Sequence, residues 1–257
     1  MTETPEPSAR PPRRRKPPRP VEVVSVSRLT PRLVSVRVTG PALDGFKIDA
    51  PTSHVKVFLP APGQDDPVVR TYTPRAFDED TMTLEIQFVL HGVGPASEWA
   101  EHVAPGDKLE VAGPGGRFSL DETAVNWWIA ADESALPAVA TLLEALPPAA
   151  TADVHIEVTD ADDEITLASL AKTTVTWHHR RAADAFGVEL AEAARAAEIP
   201  DGGRVWVACE AAAMRGIRGY FIRDRGLPAS SLVTRGYWRL GAANHPDHDY
   251  GDDELEN

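Results

Sequence analysis

The 257-residue sequence predicts two unlike domains in tandem, a six-stranded antiparallel β-barrel followed by an α/β domain built on a parallel sheet. Three observations carry that expectation. In the first half, short β-branched runs alternate apolar and polar positions and are broken by Gly and Pro; Val34, Val36 and Val38 alternate with Ser35 and Arg37. In the second half, Trp127-Trp128-Ile129-Ala130-Ala131 is apolar without alternation, the mark of a strand buried on both faces. From there, strands and helices alternate with short connections, which gives a parallel sheet.

The ends of the chain read differently. Residues 1–19 are rich in Pro and carry six basic side chains against two acidic ones, too polar to bury a core and therefore expected to be disordered. The charge of this tail suits either an acidic partner or plain solvent. Residues 242–257 are acidic and expected to be disordered too; His245, His248 and Asp249 there read as weak metal ligands or as a solvated tail.

Net charge is −13, which argues against nucleic-acid binding. Cys209 is the single cysteine, so neither an internal disulfide nor a cysteine-held cluster is available. No apolar run approaches the roughly 18 residues of a membrane span, and no apolar leader opens the chain. A cytoplasmic monomer is the expectation.

The first domain is expected over 20–124. Val21–Val26 and Leu33–Val38 are strands separated by Thr30-Pro31, and Gly40-Pro41 ends the pair. Val55, Val57 and Leu59 mark a third strand, Arg70–Tyr72 a fourth, Thr81–Leu90 a fifth and Lys108–Ala112 a sixth, with one helix over Ala96–Val103. The second domain is expected over 125–241. After the buried strand come a helix over Ala135–Leu146, stopped by Pro147-Pro148, and a strand over Asp153–Val158. An acidic loop and a strand over Thr173–His178 follow, then a helix over Phe186–Ala197. A strand over Arg204–Ala208, a helix over Ala211–Arg225 and a strand over Ser231–Arg235 complete it. Parallel sheets bind ligands outside the carboxyl ends of their strands.

Two stretches carry chemistry. In Arg70-Thr71-Tyr72-Thr73-Pro74-Arg75, an extended chain puts Arg70, Tyr72 and Pro74 on one face and Thr71, Thr73 and Arg75 on the other. A ring beside a guanidinium suits a planar anionic ligand, and a solvated surface strand is the ordinary alternative. In Gln87–Ala100 a strand runs through Gly92 and Gly94 into a helix, a start that favours anions, with Ser97 as phosphate ligand or plain cap.

Together, Arg-x-Tyr-Thr and then His-Gly-x-Gly-Pro-Ala-Ser-x-Trp-Ala resemble the siderophore-interacting, FAD-binding family, ferric-siderophore reductases related to ferredoxin–NADP reductases. The resemblance continues through Pro105-Gly106-Asp107, Gly113–Gly116, Ala131–Pro137, Glu210–Arg218 and Gly236–Gly241, so that it covers about residues 20–241. It implies that Arg70, Thr71, Tyr72, Thr73, His91, Gly94, Ala96 and Ser97 hold FAD, and that Tyr237 and Trp238 pack near the flavin or between the domains. It implies that Asp132, Ser134 and Ala135 belong to the electron-donor side, the donor being NADPH, NADH or ferredoxin. By themselves these residues lack a Gly-x-Gly-x-x-Gly fingerprint, Asp132 or Ser134 reads as a helix cap, and the acidic pair repels a diphosphate.

His178, His179, Arg180 and Arg181 suit either an NADPH 2′-phosphate or an ordinary basic loop. Glu210, Met214, Arg215 and Arg218 suit structural roles or cofactor contact, Trp99 core or cofactor, and Arg75 phosphate or solvent. An anionic ferric siderophore would meet Lys56, Arg117 and Arg239. The expected reaction is FAD-mediated transfer of electrons from NAD(P)H or ferredoxin to siderophore-bound Fe(III). A flavin or ferredoxin-type oxidoreductase with another acceptor and a non-catalytic siderophore-binding flavoprotein are the alternatives.

Overall fold

Seven strands, not six, make the first sheet. The structure is a computed structural model describing residues 17–60, 63, 66–92, 94–116, 118–181, 185–242, 245, 249 and 250. The strands are β1 (Arg19–Thr30), β2 (Leu33–Thr39), β3 (His54–Leu59), β4 (Val68–Tyr72), β5 (Pro74–Asp78), β6 (Thr83–Val89) and β7 (Lys108–Gly115), with helix α1 (Pro95–His102) before β7. β1 begins inside the stretch read as a tail, and Arg19 Nη1 donates to Gly113 O at 2.8 Å.

The added strand is β5. The run Arg70–Arg75 is therefore not one extended segment: β4 ends at Tyr72, the chain turns at Thr73, and β5 starts at Pro74. β4 pairs with β3 and β5 with β6, and all pairings in this sheet are antiparallel. The order β4-β3-β7-β1-β2-β6-β5 makes β4 and β5 its two edges. One residue joins those edges, so the sheet curls until they meet. No ladder pairs β4 with β5 among the described residues, so the closure expected of a barrel is not made by hydrogen bonds. Inside the curl lie Val36, Val38, Val57, Leu84, Phe88 and Val111, all at most 1% exposed.

The second sheet contains β8 (Asn126–Asp132), β9 (Thr151–Val158), β10 (Lys172–His179), β11 (Arg204–Glu210) and β12 (Leu232–Trp238). All pairs are parallel, in the order β10-β9-β8-β11-β12. Helices α2 (Leu136–Ala145), α3 (Val188–Ala196) and α4 (Ala211–Gly219) cover its faces. Trp127, Ile129 and Ala131 pack with Leu136, Val139 and Leu142, while Trp128 and Ala130 pack with Leu190, Met214 and Phe221. That is why the Trp127–Ala131 run is apolar at every position. The strand order reverses between β8 and β11, so the carboxyl ends of these two strands flank the place where such sheets bind ligands.

Some helix bounds differ from expectation. α2 starts at Leu136 because Glu133–Ala135 is a 3-10 turn. α4 ends at Gly219 and passes into a π-type turn over Tyr220–Asp224. The acidic loop after β9 holds a 3-10 turn, Ala161–Asp163.

The two sheets are joined by specific contacts. Leu33 of β2 belongs to the apolar cluster of the second sheet. Arg32 Nη1 donates to Asp163 at 2.6 Å and to Asp160 at 3.0 Å, and Thr52 N donates to Thr141 Oγ1 at 3.0 Å. The described part of the C-terminal segment is packed rather than solvated. Gly236 N donates to Asp249 O at 2.9 Å, Arg215 Nη2 to Asp249 Oδ2 at 2.6 Å, and Thr234 Oγ1 to Tyr250 O at 2.6 Å. His245 Nε2 lies 2.7 Å from Asp249 Oδ2. Among the described residues no group of three His, Cys, Asp or Glu side chains is arranged for a metal, and His248 lies outside them.

Candidate functional site

The corner at Thr73 organises one side of the site. The register of β4 against β3 pairs Tyr72 with Val55, Thr71 with Lys56 and Arg70 with Val57. Facing residues share a side of the sheet, so Arg70 and Tyr72 share one face and Thr71 lies on the other with Lys56. Lys56 Nζ donates to Thr71 Oγ1 at 2.6 Å. The Tyr72 ring leans on Phe88, centroids 4.4 Å apart, and Phe88 on Trp99 at 5.3 Å, which makes Trp99 part of the core packing. Burial pushes the Tyr72 hydroxyl pKa up, with Arg70 pulling it back. Arg75 forms a partly exposed, two-pronged pair with Glu144 of α2 at 3.0 and 2.5 Å.

α1 packs against β4. Its N-cap is Gly94 at φ 88°, a conformation that glycine adopts without penalty, and no side chain caps it. Ser97 is not the cap. Its buried hydroxyl accepts His91 N at 3.2 Å and ties the exit of β6 to the helix. Ala96 is buried below, while His91 is exposed. An uncapped helix start at a glycine turn is where an anion fits.

The other side of the site is the carboxyl edge of the parallel sheet. Asp132 is 2% exposed and accepts four hydrogen bonds: Ser134 N (3.0 Å) and Oγ (2.5 Å), Glu210 N (2.8 Å) and Trp238 Nε1 (2.7 Å). Burial, then the neighbouring Glu133 carboxylate, push its pKa up to about 7 against the pull of these donors. Ala135 is fully buried in the apolar cluster under α2, which removes its side chain from any donor contact. Glu210 caps α4 through Ala212 N and Ala213 N. Arg180 binds Glu133 at 2.6 and 2.7 Å and Glu157 at 2.9 Å, and lies over the Phe186 ring at 4.2 Å. Phe186 meets Trp238 edge to face, centroids 4.6 Å apart.

The basic run after β10 is engaged unevenly, Arg181 being 78% exposed. His178 Nε2 lies 3.0 Å from His155 Nδ1, His179 Nε2 lies 2.7 Å from Glu164, and Arg181 lies 3.8 Å from Glu189. One contact joins the two sides. Tyr237, next to Trp238 on β12, brings its hydroxyl beside the Thr73 side chain, and burial pushes its pKa up to about 12 while Thr73 pulls it back. The crevice at the switch point therefore borders the Arg-x-Tyr-Thr corner.

This pairing of an anion-ready β-domain corner with a parallel-sheet crevice can be set beside known proteins. The profile of the siderophore-interacting FAD-binding domain matches residues 22–69 and 61–118, and that of the siderophore-interacting protein matches residues 124–241. The chain belongs to the siderophore-interacting protein family. A siderophore utilization protein from T. fusca has a solved structure that superposes at TM-score 0.82 with 36% identity, covering 90% of this chain and 96% of that one. The ferric vibriobactin reductase of Vibrio cholerae is 31% identical over 254 residues, 90% of this chain and 93% of that protein. A ferredoxin NADP+ reductase from Neisseria gonorrhoeae shares the fold at TM-score 0.69 and 15% identity, over 85% of this chain and 98% of that one.

In this siderophore-interacting protein the structure gathers Arg70, Tyr72, Thr73 and Tyr237 about one corner, and Asp132, Ser134 and Trp238 in the adjoining crevice. It turns Thr71 away with Lys56. Arg239 is exposed one residue beyond Trp238, and Arg117 lies outside the described residues. Sequence reasoning missed Glu157 and Phe186, whose places appear only when β9 lies beside β8 and the chain returns from β10.

Proposed function

We propose that the protein is an FAD-dependent reductase of ferric siderophores. The observation that carries this reading is the approach of Tyr237 to Thr73, which sets the donor-side crevice beside the flavin corner. The corner fits FAD: the uncapped start of α1 at Gly94 suits a diphosphate, and Arg70 beside the partly exposed Tyr72 ring suits a planar anionic ring system. When bound, FAD supplies the ability to take two electrons together and pass them on singly. Arg70, Tyr72, Thr73 and the Gly94–Ser97 turn hold and orient it, and Tyr237 fixes the second domain against it. Electrons come from a nicotinamide nucleotide or a ferredoxin.

The substrate is iron(III) in an anionic siderophore. The half-buried Lys56 and the exposed Arg239 are cations suited to it, and Arg117 joins them by the family motif. Iron(II) is held more weakly by hard oxygen ligands and leaves. The homologue named as a ferric vibriobactin reductase supports this substrate class. The test is an anaerobic titration of the FAD-loaded protein with NADPH, NADH or reduced ferredoxin, followed by a ferric siderophore. The expected sequence is bleaching of the flavin absorbance, its return on adding the siderophore, and iron(II) captured by a chelator. A protein that takes up no FAD, or stays bleached when the siderophore is added, defeats the proposal.

A further inference from the structure

A dinucleotide bound to a parallel α/β sheet lays its diphosphate on N–H groups at a helix start beyond a strand's carboxyl end, where the helix dipole favours negative charge. In this protein its own carboxylates stand at three such places and take N–H groups there, within the first turn at α4 and just ahead of it at α2 and α3. Asp132, ending β8, takes Ser134 N at the turn into α2. Glu157, on β9, takes Gly187 N with both oxygens, at 3.1 and 3.0 Å, at the start of α3. Glu210, ending β11, takes Ala212 N and Ala213 N in the first turn of α4. The second oxygen of Glu210 takes Leu240 N at 3.2 Å.

The charge balance points the same way. Asp132, Glu133, Glu157 and Glu210 stand together at this edge. Among the described residues, Arg180 is the cation that pairs with any of them, and its guanidinium is spent on Glu133 and Glu157. Asp132, Glu157 and Glu210 are at most 5% exposed. An incoming diphosphate would have to expel a buried carboxylate from its donors and leave it unpaired beside a second anion. Of the side chains suited to a 2′-phosphate, His178 and His179 already face His155 and Glu164, while Arg181 stays 78% exposed at 3.8 Å from Glu189.

We propose that this edge binds no diphosphate, and that a pyridine-nucleotide donor is read from its nicotinamide–ribose end alone. NADH, NADPH and reduced nicotinamide mononucleotide are then equivalent donors. The inference rests on the proposed function only in taking the electrons from a dihydronicotinamide. The chemistry balances without the adenylate half. One dihydronicotinamide gives up a hydride and becomes the oxidised ring, its two electrons reduce two iron(III) to two iron(II), and its proton passes to solvent.

The experiment compares the three donors on the FAD-loaded full chain, with calorimetric titration of ADP-ribose and 2′,5′-ADP alongside. The expected result is kcat/KM values within about twofold of one another and no saturable heat from either adenylate at millimolar concentration. A preference of about tenfold or more for a dinucleotide over the mononucleotide, or saturable binding of either adenylate, overturns the proposal. Failure of all three to reduce the flavin overturns it too. The proposed function then still stands if dithionite-reduced protein converts a ferric siderophore to iron(II), and falls if it does not. Glu133→Gln, which releases Arg180 from its two-pronged partner, is expected to raise the NADPH-to-mononucleotide ratio severalfold. An unchanged ratio in a folded variant removes the carboxylates as the cause.

Discussion

Asp132 shows how much one side chain can hold in place. Its two oxygens receive the donors of Ser134, Glu210 and Trp238, so that β8, β11 and β12 are locked at their carboxyl ends. Asp132→Asn turns an NH2 group toward donors in a site without spare acceptors. The expected cost is about 1–3 kcal/mol, read as a lower urea midpoint, with a red-shifted tryptophan emission as Trp238 loses its partner. The carboxyl also has a signature in pH. Its folded-state pKa is raised to about 7, so between the ordinary carboxylate range and pH 7 the folded protein binds more protons than the unfolded chain. Stability from this group therefore falls as pH rises through that window. Asp132→Asn should flatten that fall, and thermal melts of both proteins at pH 5 and pH 8 check it; equal pH slopes would count against the burial of this charge.

At the scale of elements, the start of α1 carries no side-chain cap, whereas that of α4 is capped by Glu210. Glu210 is an unusual cap, since shorter side chains lead at that position. It works because Asp132 holds Glu210 N and fixes the residue where its carboxylate reaches Ala212 and Ala213. Glu210→Ala should cost about 0.5–2 kcal/mol, seen by urea denaturation, and should speed amide exchange in the first turn of α4. What the sequence disclosed follows the same physics. Trp127–Ala131 was legible because burial on both faces leaves an unbroken apolar run. Asp132 was legible as a cap because its main local partner, Ser134, is two residues away. β5 was not legible: Pro74-Arg75-Ala76-Phe77-Asp78 lacks β-branched residues, and its place comes from pairing with β6. The cap reading of Ser97 fails because the partner of its hydroxyl, His91 N, lies back across the glycine turn. The Arg180–Glu157 pair could not be read either, since it depends on the register of β10 against β9.

At the scale of the whole molecule, the proposed electron transfer asks that the two sheets keep one mutual position, with Tyr237 beside Thr73 across the joint. Arg75 and Arg32 each form ion pairs across that joint, and the pairs differ in burial. Arg75 and Glu144 have side chains 23% and 40% exposed, whereas Arg32 meets Asp163, whose side chain is 5% exposed. Exposed pairs gain little because water screens them and both side chains lose freedom. A buried carboxylate stripped of its cation is far costlier, although Thr30 Oγ1 still donates to Asp163 at 3.2 Å. Arg75→Ala is therefore expected to cost at most about 1 kcal/mol, and less at high salt. Arg32→Ala is expected to cost about 2–3 kcal/mol, below the range for a fully buried pair because Arg32 is itself 38% exposed. Calorimetry distinguishes a local loss from a loosened joint. If Arg32 couples the sheets, its removal should broaden or split the unfolding transition, while Asp163→Asn on the same background should recover most of the loss by removing the stranded charge. A single sharp transition in Arg32→Ala, displaced no further than in Arg75→Ala, would place the coupling in the apolar contact of Leu33 with the second core instead.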